Sequence, residues 1–77
     1  MLLEVSVLNP QEVLFEGKAR SIIVPGEEGV FEVLPFHKRM ISRLLSGVIF
    51  VDDRRFPIRR GVIKVDLKKV TIVIEEQ

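Results

Sequence analysis

The sequence has no cysteine, no tryptophan and no tyrosine, and one histidine, His37. Without cysteine there can be no disulfide and no thiolate zinc site, and a lone imidazole is too little for a nitrogen-rich metal site. No metal or cofactor is therefore expected. Cysteine-free composition also suits a reducing compartment. Lack of Trp and Tyr removes the usual stacking platforms of single-strand nucleic-acid grooves. The five phenylalanines (15, 31, 36, 50 and 56) fall mostly at core-like strand positions. Neither sign of charge dominates: twelve Lys and Arg face eleven Asp and Glu, for a net charge of +1. That balance does not predict a phosphate-backbone binder. Long apolar runs are missing too. VIFV and VTIVI are strand-sized, far short of the ~20 residues of a membrane-spanning helix. The opening MLLEVSVLN lacks the basic region and apolar stretch of a signal peptide, so a cytosolic chain is expected.

Seventy-seven residues amount to one small domain, 1–77, with no linker or composition shift inside it. A chain this short buries only about 60% of the surface it exposes when unfolded. Domains of this size usually need a disulfide, a metal or a partner. With the first two gone, support from another subunit becomes the leading expectation.

What is present is β pattern almost throughout. Leu3, Val5 and Val7 alternate with Glu4 and Ser6, the period of a half-buried strand. VLFE at 13–16 forms a second strand, after which Gly17 suggests a bulge or bend. ARSIIV at 19–24 stops at the turn pair Pro25-Gly26, and VFEVL at 30–34 is ended by Pro35. GVIFV turns through DDRR into RFPIRR, where Pro57 suggests an edge strand or a bulge. VIKVD then turns at LKK into VTIVIEE. Short strands with regular turn signals indicate an all-β sandwich or barrel. RMISRLLSGV stays ambiguous, since Met40, Ile41, Leu44 and Leu45 suit either a two-turn helix or a bent strand buried on both faces.

The stretch VPGEEGVFEVLPFHKRM, residues 24–40, concentrates turn residues, carboxylates and the one imidazole. Nucleophilic catalysis would need that imidazole beside an activated serine, but Ser6, Ser21, Ser42 and Ser46 stand in strand-like or turn contexts without nucleophile-elbow glycines. Glu27 and Glu28 are adjacent, so an extended backbone would turn them to opposite sides, unlike an acid–base pair. PGEEG lacks the GxxxxGK[ST] spacing of a phosphate loop, and its carboxylates repel phosphate. The basic pairs Lys38-Arg39, Arg54-Arg55, Arg59-Arg60 and Lys68-Lys69 could line a nucleic-acid groove. Asp52-Asp53 and Asp66 beside them read better as solvated, locally balanced turns.

The order LEVSVLNPQEVLFEGKARSIIVPGEEGVFEVLPFHKRMISRLLSGVI, followed by two hairpins ending in KVTIVIEE, resembles the N-terminal domain of the epsilon subunit of F-type ATP synthases (delta in mitochondria). The resemblance covers essentially the whole chain, and VPGEEGVFEVLP followed by His37 is its most specific block. It implies a flattened β-sandwich of about ten short strands, with RMISRLLSGV mostly strand. It also implies a non-catalytic rotor piece between the gamma stalk and the membrane c-ring, peripheral to the cytoplasmic face of the membrane and monomeric when alone. On that basis Glu28, Val30, His37, Lys38, Arg39 and Met40 are expected to face the ring, and Ile41, Leu44 and Val73 to face gamma. Phe31 and Val33 read as core, and His37 as a hydrogen-bonding loop anchor or a reporter of pH at the seam.

Departures from the family pattern cluster near the ring-facing loop. Glu32 and Phe36 stand where glycines are usual, Lys38-Arg39 replace Ala-Pro, and Arg60-Gly61 replaces Gly-Gly. The family's C-terminal helices are also missing from a chain that stops at Glu75-Glu76-Gln77, so neither ATP binding nor stalk-insertion inhibition is expected. Two other readings remain open at this point: a small β-barrel binding single-stranded nucleic acid, and a structural subunit of a different complex.

Overall fold

Alternating side chains pair into ladders in the computed structural model, which describes all residues from Met1 to Gln77. Eight strands form: β1 (Leu3–Leu8), β2 (Val13–Ala19), β3 (Ile22–Gly26), β4 (Gly29–Val33), β5 (Met40–Leu44), β6 (Gly47–Val51), β7 (Arg54–Asp66) and β8 (Lys69–Glu76). The architecture is an all-β, mostly antiparallel sandwich with no helix; β1 and β8 alone pair in parallel. One layer runs β2-β1-β8-β7-β5, and β3 joins it to β4, while β6 pairs β3 and β7.

The count is eight rather than about ten, partly because RFPIRR and VIKVD are one strand. β7 pairs β6 from Arg54 to Ile58 and β5 from Gly61 to Val65, so a single 13-residue strand serves both layers. Its ladder with β8 shifts register between Ile58 and Arg60, and there the strand folds over. Gly61 permits this close crossing: a Cβ there would sit 2.7 Å from the Val73 carbonyl oxygen. Arg54–Pro57 pairs on one side only, as a strand containing Pro57 requires.

Inward residues from both layers build one core of sixteen buried side chains, among them Leu3, Val5, Val7, Ile22, Val24, Ile49, Ile58, Ile63 and Ile72. Val33 is fully buried, as expected, whereas Phe31, also expected in the core, is only partly buried and packs against this cluster. The bulge expected near Gly17 lies elsewhere, where the β1–β2 register shifts between Val7 and Leu8. Gly17 pairs regularly with Val5, and the space over it is filled by the Phe15 ring, 3.3 Å from where a Cβ would be. RMISRL is strand. Met40, Ser42 and Leu44 turn toward the core while Ile41 and Arg43 turn out, so both faces of β5 carry apolar residues and mimic a helical period.

The registers place connections at two ends. The N-terminus, the loop 34–39 and the β2–β3, β6–β7 and β7–β8 turns share the amino end. The β1–β2, β3–β4 and β5–β6 turns, the β7 fold-over and the C-terminus share the carboxyl end.

Candidate functional site

The ring-facing candidates belong to the edge of the sandwich. β4 is the last strand of its sheet, paired only with β3, and the loop 34–39 carries the chain from β4 to β5. Glu28 caps the hairpin turn Gly26–Gly29, and Val30 is exposed one residue into β4. Gly26 to Phe31 and Met40 to Arg43 line one open depression with Val62, so Glu28, Val30 and Met40 come together there.

His37, Lys38 and Arg39 lie farther along, at the amino end. The His37 amide donates to the Leu34 carbonyl at 3.1 Å, and its Nδ1 lies 2.8 Å from the Lys38 carbonyl oxygen. The imidazole thus anchors its own loop. Arg39 is engaged as well, with Nε 2.8 Å from Asp66 on the β7–β8 turn. Both partners are largely exposed, so the pair contributes under about 1 kcal/mol and pins one loop to the other. Lys38 has no carboxylate partner. Met40 is half-buried and packs against the core, leaving only part of its side chain for the depression.

Of the gamma-facing candidates, Ile41 and Val73 are exposed on the outer face of the large layer, but Leu44 is not. Leu44 is 2% exposed and belongs to the core, because it pairs with Gly61 and points inward two positions after Ser42. Val62 takes the outward place instead, paired across to Val73. The signal was present in VIKVD: with Ile63 and Val65 facing inward, Val62 falls in the opposite phase.

Two backbone features stand out. Phe36 has φ of 72° and Leu67 has φ of 59°, both in the left-handed region that bulky residues avoid at a cost of about 1–2 kcal/mol. Phe36 is 74% exposed and Leu67 59%, so neither regains much by burial. The departure Glu32 accepts a hydrogen bond from Ser21 Oγ at 2.7 Å, and Arg60 is held by Glu75 at 3.2 Å.

The four basic pairs do not line one groove. Lys38-Arg39 and Lys68-Lys69 lie at the amino end, while Arg59-Arg60 lie at the carboxyl end against Glu75. Arg54 and Arg55 pack over different rings, Phe15 at 5.2 Å and Phe50 at 5.9 Å. No group of three or more His, Asp or Glu side chains is placed to hold a metal ion.

Comparison with known proteins agrees with this geometry. The ATP synthase delta/epsilon chain β-sandwich domain family matches residues 2–77. The chain is 37% identical to the ATP synthase epsilon chain of Sulfurimonas denitrificans over 78 residues, covering 95% of this chain and 60% of that one. For the epsilon chain of Campylobacter concisus the identity is 35%, with the same coverage of 95% and 60%. The chain thus spans about three fifths of the length of the curated relatives it matches. In fold it matches a chain from the central stalk and c-ring structure of the Tetrahymena thermophila mitochondrial ATP synthase, with TM-score 0.81, 14% identity, and coverage of 96% here and 63% there. A chain of the Euglena gracilis mitochondrial ATP synthase matches with TM-score 0.85, 18% identity, and coverage of 97% and 51%. The sandwich, its register and the sequence match together establish that this chain belongs to the ATP synthase delta/epsilon β-sandwich family.

Proposed function

We propose that this chain is a non-catalytic rotor subunit of an F-type ATP synthase, held at the cytoplasmic face of the membrane between the gamma stalk and the c-ring. The observation that carries the proposal is the family match across residues 2–77. Two surfaces, which meet at the depression lined by Glu28, Val30, Ile41 and Val62, suit two partners. Ile41, Val62 and Val73 form an exposed apolar group on one sheet face, suited to pack on gamma. Glu28, Val30, His37 and Lys38 follow the β4 edge and its loop, suited to the polar loops of the ring. Arg39 and Met40 contribute less than the sequence suggests, because each is already engaged within the chain.

Mechanically, the role needs a connector that transmits torque without bending. A doubly packed sandwich whose longest strand belongs to both layers resists shear between them. Lys38 at a partly desolvated interface would be worth a few kcal/mol, and under about 1 kcal/mol at an exposed rim.

Calorimetry with the gamma subunit from the same source tests the proposal, with an oligonucleotide as control. Binding to gamma that weakens in Ile41→Thr/Val73→Thr, and none to the oligonucleotide, is expected. An affinity for the oligonucleotide that falls steeply with salt, without gamma binding, would refute it. Normal rotor assembly in a Lys38→Ala/Arg39→Ala variant would remove the ring assignment alone.

A further inference from the structure

The outward face of the large layer carries charge among its apolar residues. Ile41 and Arg43 turn out from β5, and Val62 and Lys64 from β7. The ladder sets Ile41 opposite Lys64 and Arg43 opposite Val62, so apolar and basic side chains alternate corner by corner. On β8, Thr71 and Val73 extend these two rows, opposite Lys64 and Val62. Every carboxylate on β5, β7 and β8 is already engaged within the chain. Asp66 meets Arg39, Glu75 meets Arg59 and Arg60, and Glu76 accepts from Asn9 Nδ2 at 2.9 Å. Arg43 and Lys64 are exposed and have no such partner.

The other free cations stand differently. Lys18 and Lys69 both lie opposite Glu4 in their ladders, and Arg20, Lys38 and Lys68 lie outside the strands. Arg54 and Arg55 cover the Phe15 and Phe50 rings. Arg43 and Lys64 alone have neither an acid opposite, nor a ring beneath, nor a place on a loop. Glu27 and Glu28 reach the depression beside Arg43 from the β3–β4 turn, but no ion pair joins them to it.

From this pattern we infer, resting on the stalk proposal, that Arg43 and Lys64 select an acidic patch on gamma. A partner that covers Ile41, Val62 and Val73 also takes water from the two cations, which stand one strand spacing away. Cations stripped of water without a counter-charge oppose docking, so the matching surface needs carboxylates beside its apolar residues. Arg43 and Lys64 are diagonal neighbours, about 7–8 Å apart at Cβ, and this sets the approximate spacing of those carboxylates. The Arg43 guanidinium suits a bidentate contact and the Lys64 ammonium a point contact. Their aliphatic stems add to the apolar cover.

The test measures association and dissociation rates of the whole chain with the gamma subunit from the same source, at low and high salt. Association of the parent should slow as salt rises. Arg43→Gln/Lys64→Gln should slow association about tenfold at low salt and flatten its salt dependence. Arg54→Gln/Arg55→Gln removes the same charge from the β6–β7 turn and should change the rate by no more than about twofold. Both pairs of positions are exposed, so each variant should melt as the parent does. Carbodiimide coupling of the complex should join Lys64 to a gamma carboxylate. Lys64→Arg should bind as the parent does and lose that cross-link. Failure of the parent to bind gamma would overturn the stalk proposal and this inference together. A parent that binds gamma, with association unchanged in Arg43→Gln/Lys64→Gln or slowed equally in Arg54→Gln/Arg55→Gln, would overturn the inference alone. So would coupling to gamma only through other lysines.

Discussion

Leu44 and Ile41 lie three positions apart on one strand, and the fold assigns them opposite work. Leu44→Ala removes three carbons from a side chain that is 2% exposed within the core. At about 0.8 kcal/mol per buried carbon the transfer loss is about 2.4 kcal/mol. The partly collapsed cavity raises that to about 3 kcal/mol, within the usual range for such truncations. In a domain of this size each kcal/mol lowers Tm by about 4–8 °C, so a fall of roughly 12–24 °C is expected in a calorimetric melt. Ile41→Thr keeps the β-branch at a position that is 71% exposed and should change stability by less than about 0.5 kcal/mol. The same pair is then titrated with the gamma subunit at a temperature where both are folded. Ile41→Thr should bind more weakly and Leu44→Ala nearly as the parent. A Leu44→Ala chain with unchanged Tm and weakened gamma binding would show that Leu44 points outward, and the strand phase argued above would be wrong.

The other predictions concern the backbone and the loops. Gly61→Ala should cost about 1–3 kcal/mol in urea unfolding, because the new methyl group meets the Val73 carbonyl oxygen at 2.7 Å, and a backbone atom cannot swing aside. Phe36→Gly relieves about 1–2 kcal/mol of strain. It also adds about 0.5–1 kcal/mol of chain freedom to the unfolded state and loses the minor contacts of a side chain that is 74% exposed. The expected net change is within about 1 kcal/mol in the same assay, and a loss of several kcal/mol would show that the ring is structural. Asp52→Ala should cost about 1–2 kcal/mol by thermal melt, since Asp52 Oδ1 accepts from the amides of Arg20 at 3.0 Å and Ser21 at 3.1 Å. Asp52→Asn, which retains an acceptor, should recover most of that loss.

Much of the fold could be read from letters because strand pattern is local. LLEVSV and KVTIVIEE show their inward faces by alternation alone, and Pro25-Gly26 marks its turn by the dihedrals those residues prefer. What failed depended on side-chain packing or on partners far away in sequence. Gly17 looked like a bulge because its companion, the Phe15 ring over it, is a matter of packing. RFPIRR and VIKVD looked like two strands because their shared ladder depends on where β5, β6 and β8 lie. Of the candidate site, the residue types in the loop were visible but their engagements were not. Arg39 meets Asp66 across 27 positions only because the β4–β5 loop and the β7–β8 turn reach the same end.

Composition and short-range order were enough to specify a cysteine-free, all-β domain, since strand periodicity and turn chemistry depend on neighbours in the chain; the epsilon type came from the resemblance of its residue order to that family. Which apolar residues are core and which are left for partners was settled by packing alone. Leu44 and Val62 are equally apolar and sit in strands paired edge to edge, yet one is sealed and the other bare. The difference is the phase of each strand relative to the opposing layer, a long-range relation that the fold creates. The placing of Arg43 and Lys64 beside that bare apolar group has the same origin, because only the register of β5 with β7 sets each opposite an apolar residue.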